Sequence, residues 1–291
     1  MSAATMLRGV RPLAGIRSMH DLRRSAGLLT ATHVLIFFQV FSQDSSITAT
    51  TFPTRKLFPT FTADALAHQL SVSRVTDNRE WIGAVGASIP VVQLQKGDIQ
   101  LQAGVGATVF NRLIKTPGHV TVSTVDYKID LPIDVGVGET KLRIGYGHIS
   151  SHWADDGIEQ LGKSSISSVK DYLSLAASRG VPLVRGFVYT VATYLYHNEP
   201  QVDKKWQFQI GAEFANVVLT DFLQSYCALD IKLKQEVGWG TTQSYQAGIR
   251  LFSHAPHALR VCYTLRTGYE ERGQLYDQTA TAHLITLAVD F

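Results

Sequence analysis

The segment Tyr146-Gly147-His148-Ile149-Ser150-Ser151-His152 holds the residue types in this chain best suited to chemistry. His148 and Ser150 are two positions apart, so on an extended strand they share a face and their side chains are neighbours. An imidazole beside a hydroxyl can accept the hydroxyl proton as the oxygen attacks a carbonyl carbon. Such a pair needs a third group to orient the imidazole. Asp171 opens the next apolar stretch, on one face with Leu173 and Leu175, and a neighbouring antiparallel strand would bring it to His148. Asp155, Asp156 and Glu159, in the intervening segment, compete for that role or for a calcium ion. The same polar residues also suit a lipid-headgroup interface with no catalysis, because their tips reach water there. The candidate site is therefore His148, Ser150 and Asp171, with calcium the one cofactor under consideration.

The elements that must carry these residues read as strands almost throughout. From about Leu66 to Phe291 apolar residues recur at every second position. Ile99, Leu101, Ala103, Val105, Ala107 and Val109 alternate with Gln, Gly and Thr. Tyr245, Ala247, Ile249 and Leu251 alternate with Gln246, Gly248 and Arg250. Strands of roughly ten or more residues, apolar on one face and polar or Gly on the other, are the signature of a transmembrane β-barrel. A soluble sandwich uses strands of about five or six residues. The prediction is an all-β fold, an antiparallel transmembrane β-barrel of about 12 strands, with ten as the alternative count. Its lumen would hold Arg143, Arg250, Arg260, Arg266, Asp126, Asp130, Glu213 and Asp230 as charge pairs. Short turns near 95–98, 136–139, 180–183 and 253–258 are expected at one end. Longer loops near 111–119, 153–168, 197–204 and 270–278 are expected at the other.

Composition narrows the function classes. Of 291 residues 45% are hydrophobic and 18% charged, which excludes an intrinsically disordered chain. A net charge of +3 without a Lys/Arg block gives no electrostatic footprint for nucleic acid. Two cysteines, Cys227 and Cys262, imply neither a disulfide framework nor a zinc site. No Gly-rich phosphate loop appears. Arg23 and Arg24 precede an apolar run from Ala26 to Phe41 that ends at Ser42, which predicts a secretory signal peptide over 1–42. A loose periplasmic segment over 43–64 would follow, then the barrel over 65–291.

The segment Tyr146–Asp156 resembles an uncharacterised family of bacterial outer-membrane barrels, in which a Tyr-His-x-Ser-Ser-His motif precedes an acidic pair. Asp77-Asn78-Arg79-Glu80, Val125-Asp126-Tyr127, Gln209-Ile210-Gly211-Ala212-Glu213, Asp230-Ile231-Lys232 and Gly273-Gln274-Leu275-Tyr276 agree in order. The departures are Gly147 between Tyr and His, Trp153-Ala154 where Leu-Gly is usual, and Asp156 in place of Glu. The resemblance implies an outer-membrane location without assigning a reaction. The C-terminal stretch from Ile285 to the aromatic Phe291 resembles the signal by which bacterial barrels are delivered to the barrel-assembly machinery. More distantly, His148 and Ser150 resemble the outward His-x-Ser pair of outer-membrane phospholipase A and lipid A deacylase barrels. That likeness implies a serine acyl hydrolase acting on membrane lipids. The other readings are a structural barrel without chemistry and a narrow channel.

Overall fold

Period-two alternation can bury its polar face only by curling the sheet around it, and the chain does so. The structure, a computed structural model, describes residues 47–161, 166–252 and 257–291. The expected signal peptide and the start of the segment after it lie outside the described residues. Thirteen strands occur among the described residues. They are β1 (Thr48–Thr51), β2 (Leu70–Val75), β3 (Glu80–Lys96), β4 (Ile99–Thr116), β5 (His119–Val137), β6 (Thr140–Trp153) and β7 (Ser168–Val181). β8 (Gly186–Glu199), β9 (Trp206–Thr220), β10 (Leu223–Lys234), β11 (Gly240–Leu251), β12 (Ala258–Tyr269) and β13 (Thr279–Asp290) complete the set. Each of β2 to β13 pairs antiparallel with its neighbours, and β13 pairs back onto β2 from Leu284↔Val75 to Val289↔Leu70. The result is a closed transmembrane barrel of twelve strands, with β1 as an additional short strand.

β1 lies on the β2 edge of β3. β4 occupies the other edge along Val92–Lys96, while Thr48–Thr51 pair with Gln95–Val92. β1 and β2 thus follow one line along β3, and residues 52–69 leave the wall between them.

The outer wall is aliphatic. Ile133, Ile144, Leu175, Ile210 and Ile285, from five different strands, are each more than half exposed. A wall of exposed branched aliphatics suits lipid and not water. Strands of 12 to 19 residues (β10 and β5) exceed the roughly 9–11 that cross a bilayer at a tilt. One end closes with tight turns at Gly97–Asp98, Gly138–Glu139 and Asp221–Phe222, the two glycines at φ +56° and +55°. The opposite end carries the longer connections at 154–167, 200–205 and 270–278.

Two expectations are corrected here. The region 111–119 is not a long loop: β4 runs to Thr116 and β5 starts at His119, leaving Pro117 and Gly118 as the turn. The stretch Asn111-Arg112-Leu113-Ile114-Lys115-Thr116 does not alternate and ends at Pro117-Gly118, which is why the sequence there reads as a connection; the one extra residue in this pairing is Ser123 of β5. The segment expected to be loose up to Asp64 is ordered over its described residues: Thr48–Thr51 pair with β3, and the part from Leu57 on fills the lumen. Phe58 is buried against Ala176, Tyr189 and Val191, with the Arg143 guanidinium 4.4 Å over its ring. Phe61 stacks on Tyr189 at 3.6 Å. Ala63 packs with Tyr226, Ala228 and Cys262. Polar ties fix the same segment to several staves. Leu57 N donates to Gln102 at 2.8 Å, Thr62 Oγ1 to Glu213 at 2.9 Å, and His68 meets Asp130 at 2.8 Å. Of the residues expected to pair in the lumen, Arg250 and Glu213 meet each other, while Arg143 and Arg260 pair instead with Asp134 and Asp290.

The loop 270–278 caps the same lumen from the other end. Lys232 reaches Asp64 of the inner segment and, at 2.9 Å, Glu271 of the loop. Gln274 Nε2 donates to Ser151 O at 2.7 Å and Ile166 O at 2.8 Å. Gly273 fits because a Cβ there would lie 2.3 Å from Ser151 Oγ. Burial pushes the Glu271 carboxyl up, but Lys232 and Lys234 outweigh it and hold it far below the ordinary carboxylate range. A carboxyl depressed on folding stabilises above its unfolded value, so this tie is intact at neutral pH and is lost only in strong acid.

Lys232→Met strands two buried carboxylates. It is expected to lower stability by about 3–5 kcal/mol, seen as an earlier urea midpoint in detergent; an unchanged midpoint would mean that the luminal ties contribute nothing. Planar-bilayer recordings of the wild type are expected to show no sustained conductance steps. Open-pore steps would contradict a filled lumen.

Candidate active site

The outer face of β6 changes character along its length. Leu142 and Ile144 are exposed aliphatics, followed by Tyr146 and then His148, Ser150 and His152. The inward set contains Gly145, Gly147, Ile149 and Ser151, all buried. Aromatic rings mark the transition. Tyr146 lies 6.4 Å from Tyr196, and Tyr127 lies 6.1 Å from His152, centroid to centroid. Rings at the limit of an aliphatic band are what a membrane–water interface selects. The polar row therefore sits at headgroup level, at the end of the barrel that carries the long loops.

Pairing across β5 to β8 places the site residues in rows. His148 is opposite Ile129 on one side and Asp171 on the other, and Asp171 is opposite His197. Ser150 is opposite Tyr127 and Val169. His148 Nδ1 lies 2.6 Å from Asp171 Oδ1. The carboxylate can only accept, so Nδ1 carries a hydrogen, and the lone pair of a neutral His148 falls on Nε2. Both groups are partly shielded, with side-chain exposures of 36% for His148 and 18% for Asp171. Ser150 is partly exposed two residues along the same face, roughly 6.6 Å of strand rise from His148. No hydrogen bond joins Ser150 to His148 among the described residues; in unliganded sites such contacts commonly close only around substrate.

The lumen side explains one departure in the motif. Tyr172 of β7 crosses directly behind Gly147 and donates to Asp130 at 2.6 Å. A Cβ at Gly147 would come within 2.3 Å of that ring and of the Asp130 carboxylate. Glycine before His148 is thus the residue that lets β6 lie flat over Tyr172.

Of the predicted residues, His148 and Asp171 are brought into contact and Ser150 shares their face. The rivals Asp155 and Asp156 open a short helix, α1 (Asp155–Leu161), where they and Glu159 are exposed. His148 is bonded to Asp171 and not to them. No group of three or more His, Cys, Asp or Glu side chains among the described residues is arranged to hold a metal ion.

Two further residues belong to the cluster. His197 Nδ1 lies 3.0 Å from Asp171 Oδ2, and its Nε2 lies 3.5 Å from Glu199 Oε1. The alternation of β8 would have turned both inward, because Tyr194 and Tyr196 already face out. The register skips one residue between Asp171↔His197 and Tyr172↔Leu195, so Tyr196 and His197 are both exposed. This bulge re-aims His197 and Glu199 onto the lipid side. The only sequence signal was a polar His-Asn-Glu run after an aromatic strand, and it reads equally well as a loop.

Comparison with known proteins agrees with the geometry at the level of the fold. Outer membrane phospholipase A from Escherichia coli, in the form of an active-site mutant, superimposes with a TM-score of 0.51 at 15% identity, covering 76% of this chain and 89% of that one. A second structure of the same E. coli protein matches at a TM-score of 0.49, 15% identity and the same coverages. A search of curated proteins returns no significant match. Residues 34–291 match a family described as a protein of unknown function (DUF1207), and the chain belongs to that family.

Proposed function

We propose that this protein is an outer-membrane barrel that hydrolyses acyl esters of membrane lipids, with Ser150 as nucleophile, His148 as general base and Asp171 as the group that orients His148. The observation that carries this reading is the 2.6 Å bond from His148 Nδ1 to Asp171, on a lipid-facing wall, with Ser150 next on the same strand face. Lipid reaches such a wall by lateral diffusion and can present its ester at headgroup level.

The reaction follows from the roles. Ser150 Oγ attacks the ester carbonyl carbon while His148 Nε2 takes the hydroxyl proton. The tetrahedral intermediate collapses, the ester C–O bond breaks, and His148 returns that proton to the departing alcohol oxygen. Water then attacks the acyl-serine with His148 again as base, releasing a fatty acid and restoring Ser150. Asp171 keeps Nδ1 protonated throughout and offsets the imidazolium formed in each step. The related fold bears the name phospholipase A, which makes phospholipid the first substrate to test. In this reading the leader at 1–42 exports the chain, and β13 with Phe291 presents it to the barrel-assembly machinery.

Refolded full-length protein in detergent should release fatty acid from phospholipid or lipid A, assayed with and without calcium. Ser150→Ala is expected to lower kcat by about 10⁴-fold or more, and Asp171→Asn by on the order of 10²–10⁴-fold, while both migrate as folded barrels. Hydrolysis unchanged in Ser150→Ala would overturn the assignment. No hydrolysis from wild type on either lipid would leave a structural barrel.

A further inference from the structure

Asp171 serves two imidazoles, and they are not equivalent. His148 has a carboxylate at Nδ1 alone, whereas His197 has one at each ring nitrogen, Asp171 at 3.0 Å and Glu199 at 3.5 Å. A carboxylate accepts and does not donate, so an imidazole between two of them is best satisfied with hydrogen on both nitrogens, as the cation. The row His148–Asp171–His197–Glu199 holds two anions. A proton on His197 lies between both of them, and a proton on His148 Nε2 adjoins neither.

We propose that His197 and Glu199 are positioning residues that hold the row's extra proton on His197 and so keep His148 neutral, with Nε2 free to act as a base. This deepens the hydrolase reading and rests on it for its catalytic meaning. The bulge at Tyr196–His197 is the backbone feature that makes the arrangement possible, since regular pleating would have put His197 in the lumen. Glu199 is needed because a single carboxylate shared by two imidazoles would not favour one over the other.

The remaining titratable and charged groups around the row are few. β6 contributes Tyr146 and His152, β5 contributes Tyr127, and β8 contributes Tyr196. Lys205, just before β9, donates to Tyr196 O at 3.4 Å and adds a second cation on the His197 side. Asp155, Asp156 and Glu159 are exposed on α1, above β5. None of these changes when His197 alone is replaced, so the comparison isolates its charge.

The test is an ¹⁵N NMR titration of the histidine side chains in refolded full-length protein, beside the pH profile of kcat/KM. In wild type at neutral pH His197 should show two protonated nitrogens and His148 one. In His197→Gln, which keeps a donor toward Asp171 but removes the cation, His148 should take its second proton about half to one pH unit higher. The acid limb of kcat/KM should move up by the same amount with KM unchanged, and His197→Lys should restore it. In Glu199→Gln, at the barrel rim, His197 should lose its cationic form at lower pH than in wild type. A purely structural role for His197 would lower kcat evenly without moving the limb. The proposal is overturned if His148 titrates at the same or lower pH in His197→Gln, or if His197 is neutral in wild type. Absence of hydrolysis in every form would count against the hydrolase reading alone, because the titration still decides where the proton resides.

Discussion

Hydrocarbon offers no partner to a backbone N–H or C=O, so a sheet crossing a membrane has to satisfy every such group within itself. Here that constraint is answered by the pairing of β13 with β2, which closes the twelve-strand wall into a ring. Closure fixes register, and register fixes which residues meet lipid, since a slip of one residue would exchange the two faces. His148, Ser150 and Asp171 owe their shared outward face to that register. The contact of His148 with Asp171 is set by cross-strand pairing on a wall with ladders on both sides, a more rigid support than a loop.

Closing twelve strands creates a lumen too wide for wall side chains alone to fill. The chain supplies the filling from its own ends. Residues 52–69 enter between β1 and β2, and residues 270–278 fold in from the opposite side. Lys232 joins the two through Asp64 and Glu271. Buried charges of both signs make this interior polar yet internally compensated, which suits a wall-supporting core better than a conduit. The same filling reaches the candidate site: Tyr172, bonded to Asp130, packs behind Gly147 and backs the strand that carries His148. The outward chemistry and the inward packing are thus two faces of the same few residues on β6 and β7.

Alternation made much of this legible beforehand. The barrel, its approximate strand count, a lumen lined by charges such as Arg250 and Glu213, and the placing of Asp171 opposite His148 all follow from period two together with antiparallel neighbours. What alternation could not reveal lies where the period is broken or absent. The tip of β4 reads as a loop because Asn111 to Thr116 do not alternate, and the extra residue of β8 opposite Asp171/Tyr172 turned the strand out of phase and hid His197 and Glu199. Residues 52–69 carry no period at all, because they pack on the inside of a surface made by distant strands. Phe58 and Phe61 sit against Ala176 and Tyr189, more than a hundred positions away, and nothing local announces that.

The central functional claim is that Ser150 is a nucleophile activated by His148 on the lipid-facing wall. Covalent labelling tests it without assuming a substrate headgroup. Folded protein in detergent would be treated with a long-chain alkyl fluorophosphonate and its peptides mapped by mass spectrometry. The account predicts a single phosphonyl adduct on Ser150, abolished by His148→Asn and by denaturation before labelling. An unlabelled barrel, or labelling equal in the His148→Asn protein, would contradict it.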